Sequence, residues 1–187
     1  EYVKLVDLCI QNGADLTLQI QVIEQSALQF AVSWGFCEVI PMLIQNDANV
    51  NRRVGYSKKS ILLYAADRHS NLTMEERARV TSMLLQAGAD VNSMNESNET
   101  PLHEAITNNF VSTAKLLIQN GDDVNLSVTL CVVPYHRLDI GTSLHLMALE
   151  KCVDLELARV LIRNTTNINA TTQSYKMTAL QLCTFNG

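Results

Sequence analysis

Long apolar runs, clustered glycines, paired cysteines and surplus basic charge are all missing from this sequence, and each absence removes a class of function. No stretch of about 18 consecutive apolar residues occurs, so no membrane-spanning helix is encoded. The seven glycines, at 13, 35, 55, 88, 121, 141 and 187, never stand closer than 20 positions apart. Phosphate-cradling loops need glycines two to five positions apart, so the nucleotide-binding glycine motifs are excluded. Fourteen Lys and Arg against nineteen Asp and Glu give a net charge of −5. That balance provides no electrostatic footprint for nucleic acid. The five cysteines, at 9, 37, 131, 152 and 183, form an odd set with no C-x-x-C pair, which reads as reduced thiols in a reducing compartment. What the chain does have is 47% apolar residues over 187 positions, enough for one continuous core.

That core is periodic. The string Gly88-Ala89-Asp90-Val91-Asn92 returns as Gly121-Asp122-Asp123-Val124-Asn125, 33 residues later. Earlier copies run from Gly13 and from Asp47, and a fifth has Thr165 in the glycine slot. A second landmark, Thr100-Pro101-Leu102-His103-Glu104-Ala105, has weaker copies beginning at Ser26, Ser60, Thr142 and Thr178. The T-P-L-H-x-A string followed by LL-x-x-GADVN resembles the ankyrin repeat family, and the resemblance covers nearly the whole chain. It implies an all-α solenoid of stacked helix-turn-helix units joined by β-hairpin loops. The expected array occupies 1–187 as a partial unit 1–25, units of about 26–59, 60–99, 100–141 and 142–177, and a partial unit 178–187. The chain starts in a second helix and stops after a first one, without the polar caps of an isolated array, so a fragment of a longer repeat protein is expected.

Each slot has a physical reading. Leu28, Ala31 and Val32, then Leu62, Ala65 and Ala66, then Leu102, Ala105 and Ile106 put an apolar stripe on each first helix. The Ser or Thr opening each string is a natural N-cap, and Pro101 suits the first helical position. Gly13, Gly88 and Gly121 supply left-handed turns that end the second helices. Thr165 is β-branched and unsuited to that conformation, so a different turn is expected there. Pro41 lacks an N–H and must lie in a first turn, which predicts a helix beginning near Phe36 or Cys37.

The phase slips twice. Seven residues are added between Ser60 and Gly88, and Thr73 with Glu76 three later reads as a capping box that opens an extended second helix. Between Gly121 and Thr142 the segment Leu130–Ile140 forms an enlarged finger. Such an apolar finger is either folded back on the array or used for binding.

Chemistry is sparse. Cys131, His136, His145 and Cys152 have no ligand-pair spacing for zinc, and the imidazoles of His103 and His145 read as partners of neighbouring backbone. No catalytic residue, metal or cofactor is expected, and the chain reads as no enzyme. In the resemblance, the slots lining the concave face hold Phe30 and Trp34, Tyr64 and Arg68, Glu104 and Asn108, then Leu146 and Glu150, with Tyr56, Tyr135 and Arg137 on the hairpins. Trp34 reads either as a half-buried cover over Phe36 or as part of an exposed patch with Phe30, Tyr56 and Tyr64, where interface energy concentrates. The expectation is a cytoplasmic or nuclear protein-binding module in a larger scaffold or regulatory protein, with no nucleic-acid, membrane or small-molecule partner. Narrower readings are a substrate-recruiting arm of a ubiquitin ligase or a cytosolic part of a channel. A different one is as a substrate: Asn51, Asn92, Asn125 and Asn169 occupy a hairpin slot that can be hydroxylated in the family. Leu84 and Leu117 stand eight residues before Asn92 and Asn125.

Overall fold

The computed structural model describes residues 1–20, 25–53, 58–132, 137–150 and 154–186. First helices are α2 (Ala27–Trp34), α4 (Ile61–Ala66), α6 (Pro101–Thr107), α8 (Ser143–Leu149) and α10 (Ala179–Asn186). Second helices are α1 (Tyr2–Gln11), α3 (Ile40–Gln45), α5 (Met74–Gln86), α7 (Val111–Gln119) and α9 (Leu155–Asn164). Consecutive helices pair as α2/α3, α4/α5, α6/α7 and α8/α9, while α2, α4, α6, α8 and α10 stack in one layer and α5, α7 and α9 in the other. Neither layer is a core alone; the core is what lies between them.

The stripe positions explain the stacking. Leu28, Leu62 and Leu102 are 1% exposed or less, and Ala31, Ala65 and Ala105 are buried beside them. The small alanines let neighbouring first helices approach, and Leu84, Leu117, Leu157 and Leu161 close the second layer. Ser26, Ser60 and Thr100 accept from the N–H three residues on. Gln29 and His103 accept in return from the backbone N–H of the cap, so α2 and α6 start with a reciprocal capping box and α4 with a single cap bond.

Gly13, Gly88 and Gly121 have φ near +80 to +90°, as the turn after each second helix demands. Asp47 takes φ 62° in the same slot, whereas Thr165 is extended at φ −77°, ψ 139°. The region of Pro41 differs from expectation. Residues 37–39 are turns and α3 begins at Ile40, so the proline stays in the first turn because the helix itself is short. Thr73 and Glu76 do form a capping box, and the added residues are shared between the thirteen-residue α5 and a longer connection, 67–73, before it.

The hairpins are mostly minimal. β1 (Gln19–Ile20) pairs with β2 (Gln25–Ser26), and the exception is the six-residue pair β3 (Ser127–Val132) and β4 (Arg137–Thr142). One face of this finger turns inward, burying Val128, Leu130 and Asp139, while Leu138 and Ile140 stay exposed at 70% and 41%. Leu130 packs so closely over Gly141 that a Cβ there would lie 2.7 Å from it. The inner face of the finger thus folds back on the array, and Leu138 and Ile140 of its outer face are exposed.

Hairpins are laced to their successors by asparagine. Asn51 donates to Gly88 O (2.9 Å) and accepts from Asp90 N (2.7 Å). Asn92 does the same with Gly121 O and Asp123 N, at 3.3 and 2.8 Å. Asn125 accepts from Thr166 N at 3.0 Å. His145 reaches the next hairpin at Ala170 O, 3.0 Å away.

Candidate functional site

A cluster of aromatic groups lies on α2 and just after it. Phe30 and Trp34 lie one turn apart on α2, with ring centroids 5.7 Å apart. Phe30 also meets Phe36, at 6.1 Å. Trp34 is 52% and Phe36 50% exposed, unusual for rings of this size in so short a segment.

Beside Trp34 opens a pocket of about 270 Å³ lined by residues from α2, α4 and the segment after α4, among them Ser33, Trp34, Tyr64, Asp67, His69 and Asn71. Its floor is fixed by backbone: Asn71 N donates to Ser33 O at 2.9 Å. Its charge is fixed by an ion pair: Lys59 Nζ lies 2.6 Å from Asp67 Oδ2 and 6.0 Å from the Tyr64 ring centroid. Partial burial pushes the Asp67 carboxyl up, but Lys59 and the His69 N–H outweigh it and hold the group below its ordinary value. Asp67 is thus ionised at neutral pH.

Next along the layer, burial raises the Glu104 carboxyl above its usual range, opposed by the amide of Asn108. Asn108 Nδ2 donates to Glu104 Oε1 and Glu104 O at 2.9 Å and to Ala66 O at 3.3 Å. It is a cap for α6 tied to α4.

Of the residues expected at this surface, Phe30 and Trp34 lie on α2, Tyr64 on α4, Arg68 just after it, Glu104 on α6 and Asn108 at its C-cap, and Trp34 and Tyr64 meet at the pocket. Arg68 is exposed and donates to His69 Nε2 at 3.3 Å. Leu146 does not join them: at 8% exposure it belongs to the core. In a half-buried slot an aliphatic side chain closes onto its neighbours, where Glu104 keeps a polar tip outside. Tyr56, Tyr135 and the side chain of Arg137 lie outside the described residues. The hydroxylation-slot asparagines 51 and 92 spend their amides on the inter-hairpin bonds above, while Asn125 gives its Oδ1 to the next hairpin and its Nδ2 to Asp123 of its own turn. Asn169 instead has its backbone N–H bonded to Asn167 Oδ1.

Sequence reading missed the residues that build the pocket wall. Asp67, His69 and Asn71 fall where the repeat phase slips, so no slot assignment reached them. It also missed Arg77, which is 2% exposed. Its guanidinium donates to Ala65 O, to Asp67 O and Ser70 Oγ at 2.9 Å, and to Leu72 O at 3.2 Å, and stands 4.0 Å over the Phe110 ring. A charge directly after a capping-box glutamate, in the first turns of a helix, looks solvent-exposed; only the tertiary wrap shows otherwise.

Among the described residues no cluster of three or more His, Cys, Asp and Glu is placed to hold a metal, and no helix is long and apolar enough to cross a membrane. Nothing in them points to an enzymatic activity.

Stacked helix pairs with hairpin loops laced by asparagine define a helical repeat solenoid. The family model for ankyrin repeats (many copies) matches residues 70–118. Human ankyrin repeat and SOCS box protein 6 is 28% identical over 127 residues, covering 65% of this chain and 29% of that protein. The E3 ubiquitin-protein ligase KEG of Arabidopsis thaliana is 27% identical over 111 residues, 58% of this chain and 6% of its own length. The ankyrin repeat and KH domain-containing protein CBG24701 of Caenorhabditis briggsae is 30% identical over 134 residues, 71% of this chain and 5% of its own. The chain belongs to the ankyrin-repeat family, whose repeats are protein–protein interaction modules, and it spans less than a third of the length of each of these relatives.

Proposed function

We propose that the chain is a non-catalytic binding module that captures a protein segment along the inner edge of its first helices. The array acts as one unit across the boundaries read from the sequence. Phe30, Trp34, Tyr64 and Arg68 form the centre, with Glu104 and Asn108 beside them and Tyr56, Tyr135 and Arg137 contributing from the hairpins. The observation that carries this reading is the half-exposed Trp34, stacked on Phe30 at the mouth of a preformed pocket. A rigid, preformed surface binds with little ordering cost, and Trp, Tyr and Arg are the residues that most often dominate such contacts.

The module works inside a larger scaffold or regulatory protein of the cytoplasm or nucleus, without cofactor, nucleic acid or small-molecule substrate. The likeness to two relatives, a SOCS box protein and an E3 ubiquitin-protein ligase, favours the substrate-recruiting arm of a ubiquitin ligase. A photo-crosslinking phenylalanine analogue tests the surface: placed at Tyr64 it is expected to capture a discrete protein in cells, and placed at Arg159 on the second-helix layer it is not. Equal capture from both positions would defeat the assignment.

The substrate reading for Asn92 and Asn125 is favoured by Leu84 and Leu117 eight positions upstream. Both leucines are fully buried, so modification would require local opening of these hairpins. Peptides from cells carrying one added oxygen on either asparagine would support it, and unmodified peptides would exclude it.

A further inference from the structure

The glycine turn after each second helix is followed by a small residue in three copies: Ala14, Ala48 and Ala89. The copy after α7 has Asp122 instead, and it is buried at 7% exposure. Among the described residues neither carboxyl oxygen has a hydrogen-bond partner. A carboxylate so placed has lost its hydration without replacement.

Its position matters more than its burial. Asn92, from the preceding hairpin, grips the residues on either side of it, donating to Gly121 O at 3.3 Å and accepting from Asp123 N at 2.8 Å. The parallel turn one unit earlier is gripped in the same way by Asn51, at Gly88 O and Asp90 N, and there the enclosed residue is Ala89. Asp122 thus lies inside the joint that ties the α4/α5 pair to the α6/α7 pair.

We propose that the Asp122 carboxyl is a proton-sensitive latch on this joint: neutral, it lets the Asn92 grip close over the turn, and ionised, it loosens that grip. The charged group that acts on it is Asp123 of the same turn, a like charge. Among the described residues no Lys, Arg or His of α7, of the Asn92 hairpin or of the following turn forms an ion pair with it. Burial, then Asp123, pushes the group up to about 7. A carboxyl whose folded value is raised holds its proton longer in the closed state than in the open one. The closed joint therefore loses stability as pH rises from the ordinary carboxyl range through about 7.

The test is hydrogen exchange of the 187-residue chain, corrected for the intrinsic pH dependence and read on peptides covering 119–126 and 86–93. Between pH 6 and pH 8 the opening constant of 119–126 is expected to rise about tenfold, while 86–93, with Ala89 in the equivalent place, stays level. In Asp122→Ala and Asp122→Asn the rise at 119–126 disappears; alanine is the residue of three other copies, so that variant folds. A rise of the same size in Asp122→Ala, or an equal rise at 86–93 in the parent chain, overturns the latch.

Discussion

Arg77 shows how one side chain can hold an irregular stretch in place. Four carbonyl or hydroxyl acceptors from Ala65, Asp67, Ser70 and Leu72 converge on its guanidinium. Burial lowers its pKa, offset by the carboxylates of Asp67 and Glu104, and the group remains a cation. The residues it gathers include the Asp67–Asn71 wall of the pocket, so Arg77 is a positioning residue for the surface. Arg77→Ala leaves these acceptors without donors and is expected to cost about 3 kcal/mol, measured by urea unfolding. Arg77→Lys should recover only part of that, since one ammonium cannot reach all four acceptors. A near-neutral Arg77→Ala would show that the wrap contributes nothing. Asp122 belongs to the same scale: a single departure from alanine that changes what a turn responds to.

At the scale of elements, the finger is the clearest departure from a uniform repeat. Burial pushes the Asp139 carboxyl up, but donors outweigh it: the Thr172 hydroxyl and the N–H groups of Ser174, Tyr175 and Ile140 hold it well below the ordinary carboxylate range. Ser174 N and Tyr175 N lie 2.7 and 3.1 Å from its oxygens. β4 is thereby clamped to the loop of the following unit. A depressed carboxyl contributes stability that is present above its unfolded value of about 4 and is lost as pH falls below it. Asp139→Asn is expected to lower stability by roughly 1–3 kcal/mol near pH 7. The gap from the parent should hold down to about pH 5 and narrow below about pH 4, as thermal melts across pH would show. A gap independent of pH would refute the clamp.

The sequence made the repeats legible because each stripe, cap and turn glycine obeys local rules, and Leu28, Ser26 and Gly88 fall where those rules put them. The start of α3 and the burial of Leu146, Arg77 and Asp122 were not legible. Each is decided by what an adjacent unit brings against it, which no single segment encodes.

At the scale of the whole molecule, the proposed surface rests on the stacking of α2 against α4. Phe30 and Trp34 lie on α2, Tyr64 on α4 and Arg68 just beyond it, while the stripe beneath them is sealed. The core and the surface are therefore separable by mutation. Leu28, at 1% exposure, faces the core, and Leu28→Ala is expected to cost roughly 2–5 kcal/mol of stability. Trp34 leaves half its surface to solvent, and its loss removes little from the core. The measurement that bears most directly on the account is a paired one on Trp34→Ala: affinity for the protein captured through Tyr64, and unfolding midpoint. The account predicts affinity weaker by at least about tenfold with a midpoint close to that of the parent chain. A variant that unfolds as readily as Leu28→Ala, or one that binds with undiminished affinity, would contradict it.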